Sequence, residues 1–161
     1  MARLMEDKLD ISKLDEKIIS RGYRGLETAM SNIESLINIL DSVNVGTEDI
    51  KSDFKEIKDM KKSISERTLN FIKDNNTYKN HLKTWMYDKS GTSNKTQFMS
   101  FVESELNKAV REVKMQPAIL RRQKEKNVVL AFYKKNLDNV MDIIDLINKL
   151  QSIEKKIQKY F

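Results

Sequence analysis

The sequence predicts an all-α protein, an elongated antiparallel bundle of three long, coiled-coil-like helices with two shorter helices packed at one end. Three observations carry that prediction. The 161 residues hold only 4 glycines and 1 proline, so few positions interrupt a helix. Apolar residues recur at steps of three and four, the spacing that lines one face of a helix. The stretch from Pro117 to Phe161 has no glycine and no further proline. As one helix it is a rod of about 65 Å at ~1.5 Å per residue, too long to be covered except by other helices laid along it.

The chain divides as one helical domain over residues 1–161, in four parts. Residues 1–12 form a loose N-terminal segment or short helix, with Ser12 or Asp10 able to cap the helix beyond it. Residues 13–76 form a helical hairpin. In its first arm Ile11, Leu14, Ile18 and Ile19 repeat at helical spacing until Gly22 and Gly25 interrupt them. A glycine pair inside a helix costs about 1 kcal/mol per residue relative to alanine, and so marks a kink or a close approach of another helix. A phosphate-binding loop there would need a preceding strand. From Leu26 the pattern is regular through Met30, Ile33, Ile37 and Leu40, the spacing of a coiled-coil seam. Asn44-Val45-Gly46 stops the arm, with the glycine free to adopt the left-handed cap.

Thr47 is placed to cap the second arm, with Glu48 and Asp49 where the helix dipole favours acids. Ile50, Phe54, Ile57, Ile64 and Phe71 line one face, interrupted by Lys61 and Thr68. The short connection makes the two arms antiparallel. Residues 77–116 hold the two short helices. Thr77 caps the first, whose Tyr78, Leu82, Trp85 and Met86 share a face and read as an aromatic core knot. Asp88 to Asn94 is a loop, and Asn94 three residues before Gln97 resembles a capping arrangement. The loop combines lysine, glycine, serine and threonine, but no glycine run precedes a Gly-Lys-Ser/Thr unit, so it is not a phosphate loop. The next helix runs from about Thr96 to Met115, with Phe98, Phe101, Val102, Leu106, Ala109 and Val113 on its apolar side. Pro117 then either opens a new helix or kinks a continuous one. Residues 117–161 form the long C-terminal helix. Its Leu137–Tyr160 part carries two adjacent apolar stripes, enough for two neighbours.

Composition limits the chemistry. Cysteine is absent, which excludes disulfides, thiolate metal sites and cysteine nucleophiles. His81 is the single histidine, so no Ser–His–acid set or histidine-rich metal site is available. Asp142 and Asp145 lie three apart and could face one cation, but no Glu-x-x-His motif accompanies them. No run approaches the ~18–20 apolar residues of a membrane span, and residues 1–7 lack a signal-peptide core. The expectation is a cytoplasmic, non-catalytic protein without cofactor, metal, membrane or small-molecule substrate.

The charge is uneven. Residues 1–76 hold 13 Lys/Arg against 15 Asp/Glu, and residues 77–161 hold 17 against 9, so a net −2 half is followed by a net +8 half. The densest basic segment is Lys108, Arg111, Lys114, Arg121, Arg122, Lys124 and Lys126, opposed only by Glu112 and Glu125. Such a cluster can neutralise phosphates without reading bases. Tyr133 and Phe132 nearby read as packing residues rather than a stacking platform.

Asn80-His81-Leu82-Lys83-Thr84-Trp85, the loop, Phe98-Met99-Ser100-Phe101-Val102 and the terminal amphipathic helix resemble the helical C-terminal region of some tailed-bacteriophage proteins classed as nucleotidyltransferases or kinases. The likeness covers about half the chain and implies a phage origin, hence a host cytoplasm. The lysine-containing nucleotidyl-transfer motif of those proteins has no match here, so no catalytic residue or activity carries over. The sequence therefore points to a binding protein. The first reading is a protein–protein interaction or assembly module, supported by long apolar seams and 8 methionines and extending to a homodimer. The alternative is a non-specific nucleic-acid-binding accessory protein using residues 108–126.

Overall fold

The structure is a computed structural model and describes residues 14–160. The expected loose segment over residues 1–12 and its caps at Asp10 or Ser12 lie outside the described residues. Among those described there are six helices and no strand. They are α1 (Leu14–Ser42), α2 (Glu48–Ser63), α3 (Glu66–Asp74), α4 (Asn76–Asp88), α5 (Lys95–Glu112) and α6 (Gln116–Gln158). The all-α class is as the spacing predicts.

α1 is two helical segments meeting at Gly22, whose φ of 58° and ψ of −136° interrupt the helix. The glycine pair makes a kink at Gly22 and, at Gly25, a close approach of α1's own first segment rather than of another helix. Gly22 makes the kink, in the left-handed region that favours glycine. Gly25 makes the close approach, because a Cβ there would lie 2.2 Å from the Lys17 carbonyl oxygen. The C-terminal end of α1 corrects one detail. Asn44, not Gly46, takes the left-handed conformation, at φ 59°. The Val45 N–H then reaches the Leu40 carbonyl and the Asn44 N–H the Asp41 carbonyl. That pair of bonds is the Schellman arrangement, with asparagine in the glycine's usual place.

Thr47 precedes α2 but its side chain caps nothing. Its hydroxyl instead donates to Asp41 Oδ1 at 2.5 Å, tying the turn back to α1. Asp41, which also pairs with Lys51 at 2.6 Å, is held below the ordinary carboxylate range by its bonds to Lys51 and Thr47. The ion pairs Asp41–Lys51, Glu34–Lys58 and Glu27–Lys61 climb one helix as they descend the other. α1 and α2 therefore run antiparallel. Lys61, the first interruption of the apolar stripe, spends its length on this contact: its Nζ lies 5.0 Å from the Tyr23 ring centroid.

The second arm of the hairpin is not one helix. Ile64 is extended, with φ −80° and ψ 130°, and Ser65 starts α3 as its N-cap by accepting from the Thr68 N–H. The break leaves the direction unchanged. Glu56–Lys149 and Asp53–Lys156 pair α2 with α6, Thr68 meets Asn136 and Asn139, and Phe71 stacks on Phe132. These partners step down α6 in one antiparallel register. Thr68, the second interruption of the stripe, is buried where α6 is itself irregular, at Asn136 (φ −113°, ψ 17°). Asn139 Nδ2 donates to Thr68 Oγ1, Thr68 Oγ1 donates to Asn136 Oδ1, and Asn136 Nδ2 donates to the Phe132 carbonyl. A buried chain of this kind holds register because a shifted pairing strands polar atoms.

The N-cap of α4 lies two residues before the predicted one: Asn75, not Thr77, caps the helix and accepts from the Thr77 N–H at 3.0 Å. Asn94 caps α5 as expected, accepting from Gln97 N–H at 2.9 Å. The polar loop between them folds onto the core. Trp85 Nε1 donates to the Thr92 carbonyl, the Gly91 N–H to the Trp85 carbonyl, and Asn148 Nδ2 to the Gly91 carbonyl. The Gly91 amide and carbonyl are thus both engaged within the protein. α5 ends at Glu112 and α6 begins at Gln116, with Pro117 in its first turn. Pro117 thus opens a new helix rather than kinking an old one. Lys95–Asp138 at 2.5 Å and Lys126–Asn107 at 2.5 Å set α5 antiparallel to α6.

The core follows this layout. Over Val140–Ile157 α6 buries Ile143, Ile144, Leu146, Ile147, Leu150 and Ile153 against α1 and α2. Over Val129–Tyr133 it packs with α3, α4 and α5 through an aromatic cluster of Tyr78, Trp85, Phe98, Phe101 and Tyr133, with Phe132 beside it. Met30 and Met141 are buried, and Met60, Met86 and Met99 pack against the core. Most methionines are therefore filler, and only Met115 among those described stands well out of the core.

Candidate functional site

From Asn107 to Val128 no residue is buried. This is the end of α5, the turn at Pro117 and the beginning of α6, so the two helices leave the core as an antiparallel arm. The apolar pattern of Ile119, Leu120 and Val128 is looser than the double stripe beyond Leu137, which points to weaker packing at this end. Ile119 is half-buried, but Met115 is 72% exposed, Leu120 57% and Val128 65%. Exposed large apolar side chains grouped on one element mark contact surfaces more often than scattered ones do.

All seven predicted basic residues lie on the arm, but they do not form a single face. Lys108, Arg122 and Lys124 line a cleft between the arm and α4. Arg111 lies in a shallow groove with Ser100, Glu103 and Asn107. Lys126 is spent on Asn107, and Arg122 pairs with Glu125 at 3.2 Å. Lys108, Arg111, Lys114, Arg121 and Lys124 have no ion pair or side-chain hydrogen bond among the described residues. These five cations thus have no direct partner, on a stretch of 22 residues from Asn107 to Val128 none of which is buried.

The cleft has a volume of about 640 Å³. One wall is the arm and the other is the N-terminal turn of α4 with Asn75, Thr77 and Asn80. Its floor includes Tyr78, Phe101, Leu106 and Val129, and Phe71 stands at its edge. Phe71 departs from its expected place in the buried stripe. It is 41% exposed and lies flat on Phe132, with ring centroids 4.5 Å apart. The cations of the cleft are matched by Glu105, Glu112 and Glu125, so the cleft is near charge balance and the surplus lies on the outside of the arm. The α4 side of the cleft was invisible in the sequence because α3 and α4 reach it only through tertiary packing.

His81 sits half-buried in the cleft, its Nδ1 3.4 Å from the Tyr133 hydroxyl. Burial holds its imidazole below the ordinary value, and Glu105 acts weakly the other way. It is therefore neutral at pH 7. Among the described residues no group of three His, Cys, Asp or Glu side chains could hold a metal ion. No described helix is long and apolar enough to cross a membrane.

The tyrosines give a pH prediction. Burial pushes the Tyr78 phenol up to about 12, and Tyr133 is raised by burial, with a smaller effect of Tyr78. In the unfolded chain each phenol ionises near 10. Stability is then fully present below pH 10 and falls as pH rises through the folded-state values, because only the unfolded chain loses these protons readily. Phenolate absorbance and helical circular dichroism monitored from pH 9 upward should show these two tyrosines titrating together with unfolding. A phenolate step for all tyrosines near 10 with the helix signal intact contradicts the burial.

No protein-family model matches the chain, and no curated protein or solved structure is significantly similar to it.

Proposed function

We propose that this protein is a non-catalytic macromolecule-binding module, an elongated helical bundle whose α5–α6 arm engages another protein in an interaction or assembly role. The observation that carries the reading is the absence of any buried side chain between Asn107 and Val128, together with exposed Met115, Leu120 and Val128. A helical pair this long gains nothing from the core of its own chain. Its apolar side chains gain burial only against something else, and transfer from water is worth about 25 cal/mol per Å² of apolar surface.

The cations without a direct partner favour a second reading, non-specific nucleic-acid binding through Lys108, Arg111, Lys114, Arg121, Arg122, Lys124 and Lys126. Phosphate contacts need the cations but not the apolar residues, so the exposed apolar set favours protein. A photo-crosslinking side chain at Leu120, with one at Lys55 on α2 as control, tests the first reading. Saturable protein adducts at position 120 alone, lost with Arg121→Glu/Arg122→Glu, are the expected result. Equal labelling at both positions sinks it. Fluorescence anisotropy with DNA and RNA tests the second. Binding tighter than about 1 µM at physiological salt, falling steeply as salt rises, would replace the protein reading with the nucleic-acid one.

A further inference from the structure

One stripe of α6, passing the rim of the cleft at Lys124 and Val128 and reaching Ser63 of α2 at Asp142, carries more than the arm's cations. Stepping along it by three and four gives Arg121, Lys124, Val128, Ala131, Lys135, Asp138, Asp142 and Asp145. The first six are exposed and the last two half-buried. The stripe is basic at its N-terminal end and acidic at its C-terminal end. Only Asp138 has an ion pair, with Lys95. Asp142 and Asp145 have none among the described residues, and neither have Arg121 and Lys124.

We propose that the occupant of this face is a second copy of the chain, laid antiparallel along α6 about a two-fold axis near the level of Tyr133. In that register Arg121 of one copy lies opposite Asp145 of the other, and Lys124 opposite Asp142. The central Ala131 meets the aliphatic stem of Lys135. The same contacts repeat on the other side of the axis, as a two-fold interface requires. Steps of three and four are the spacing at which one helix meets another along its length. A parallel pairing sets Arg121 on Arg121 and Asp145 on Asp145, so repulsion selects the antiparallel one.

Two further observations agree. The acidic end is short of cations: burial, then Asp145 and Asp138, hold the Asp142 carboxyl above its ordinary value, and Lys95 with Ser63 offsets this only in part. A lysine and an arginine arriving from a second copy supply what is missing. The recess of Asp142 and Asp145 also suits the reach of long basic side chains such as the exposed Arg121 and Lys124. Other partners fit less well. Nucleic acid or an anionic lipid surface would meet the basic end and be repelled by the acidic end of the same stripe.

The proposal rests on the reading of the arm as a binding surface, and names its partner. Sedimentation equilibrium of the full chain at about 20 mM salt should show a reversible dimer that weakens at about 300 mM, where charges are screened. Arg121→Glu/Lys124→Glu should weaken self-association at least about tenfold, and so should Asp142→Lys/Asp145→Lys. Each variant alone sets like charges against like. Mixed together, the two are complementary at both ends, so a 1:1 heterodimer should reappear. Circular dichroism checks that both variants fold. If the double lysine variant does not, the single changes Arg121→Glu and Asp145→Lys, which swap one pair, replace it. A monomer at all concentrations overturns the dimer, and so does a dimer indifferent to these changes or a mixture that fails to pair. Failure of the dimer with Leu120 crosslinks to a different protein retained leaves the arm reading standing; failure of both removes it.

Discussion

Replacing Trp85 with alanine is expected to destabilise the protein by about 3–5 kcal/mol, the cost of emptying a large aromatic site in a packed core. Trp85 is buried, edge-on to Phe98 with centroids 5.6 Å apart, and 5.2 Å from Phe101. It also anchors the loop between α4 and α5, donating Nε1–H to the Thr92 carbonyl at 2.8 Å. The alanine variant therefore loses ring packing and leaves that carbonyl short of a partner. Trp85→Phe should cost less, about 1–2 kcal/mol, because most of the packing survives and chiefly the hydrogen bond goes. Urea unfolding monitored by far-ultraviolet circular dichroism measures both. A loss below about 1 kcal/mol for the alanine variant means that the aromatic cluster is not a packed centre of the bundle.

Gly25→Ala should invert the usual helix rule. At an ordinary helix-interior site alanine is about 1 kcal/mol better than glycine. Here the new methyl would lie 2.2 Å from the Lys17 carbonyl oxygen and 2.9 Å from Arg21 Cβ. The first neighbour is backbone and cannot swing aside, so the kink at Gly22 must open. The expected cost is about 2 kcal/mol or more, within or above the range for overpacked cores. Opening the kink also pulls on Asn70 and Lys73, the α3 side chains that lie against Gly22. A stabilising Gly25→Ala in thermal melts would mean that the two segments of α1 are not folded against each other there.

Much of the fold was legible because its signals are local. Asn94 and Pro117 act where their chemistry predicts, and the aromatic residues of α4 are core because their spacing puts them on one face. The misreadings have a common origin. The second arm reads as one helix because Ile57, Ile64 and Phe71 keep step across the break. Thr68 there is polar for a tertiary reason, the Asn136–Asn139 network on α6, which lies about 70 positions away in sequence. Asn75 replaces Thr77 as a cap, and Asn44 replaces Gly46 as the left-handed residue, because adjacent positions were equally qualified and packing chose between them. The arm was legible in part. Ile119, Leu120 and Val128 make a looser pattern than Ile143, Leu146 and Leu150, but the end of the neighbouring helices, which leaves Leu120 and Val128 exposed, is set by tertiary packing. The basic segment was legible as composition. Its division between the cleft, the shallow groove and the outer face was not, because helix phase about Pro117 sets it.

The absence of buried residues from Asn107 to Val128 also bears on what fixes the length of this hairpin. Core helices are held to length by the layers they must fill, so a turn added or removed in one of them misplaces every side chain beyond it. Nothing of the kind constrains the arm. Matched insertions of two turns in its two strands, one before Pro117 and one after, would leave Leu106 opposite Val129 and the rest of the protein as it is. On the proposed reading, the reach of the arm is set from outside, by the span of the partner.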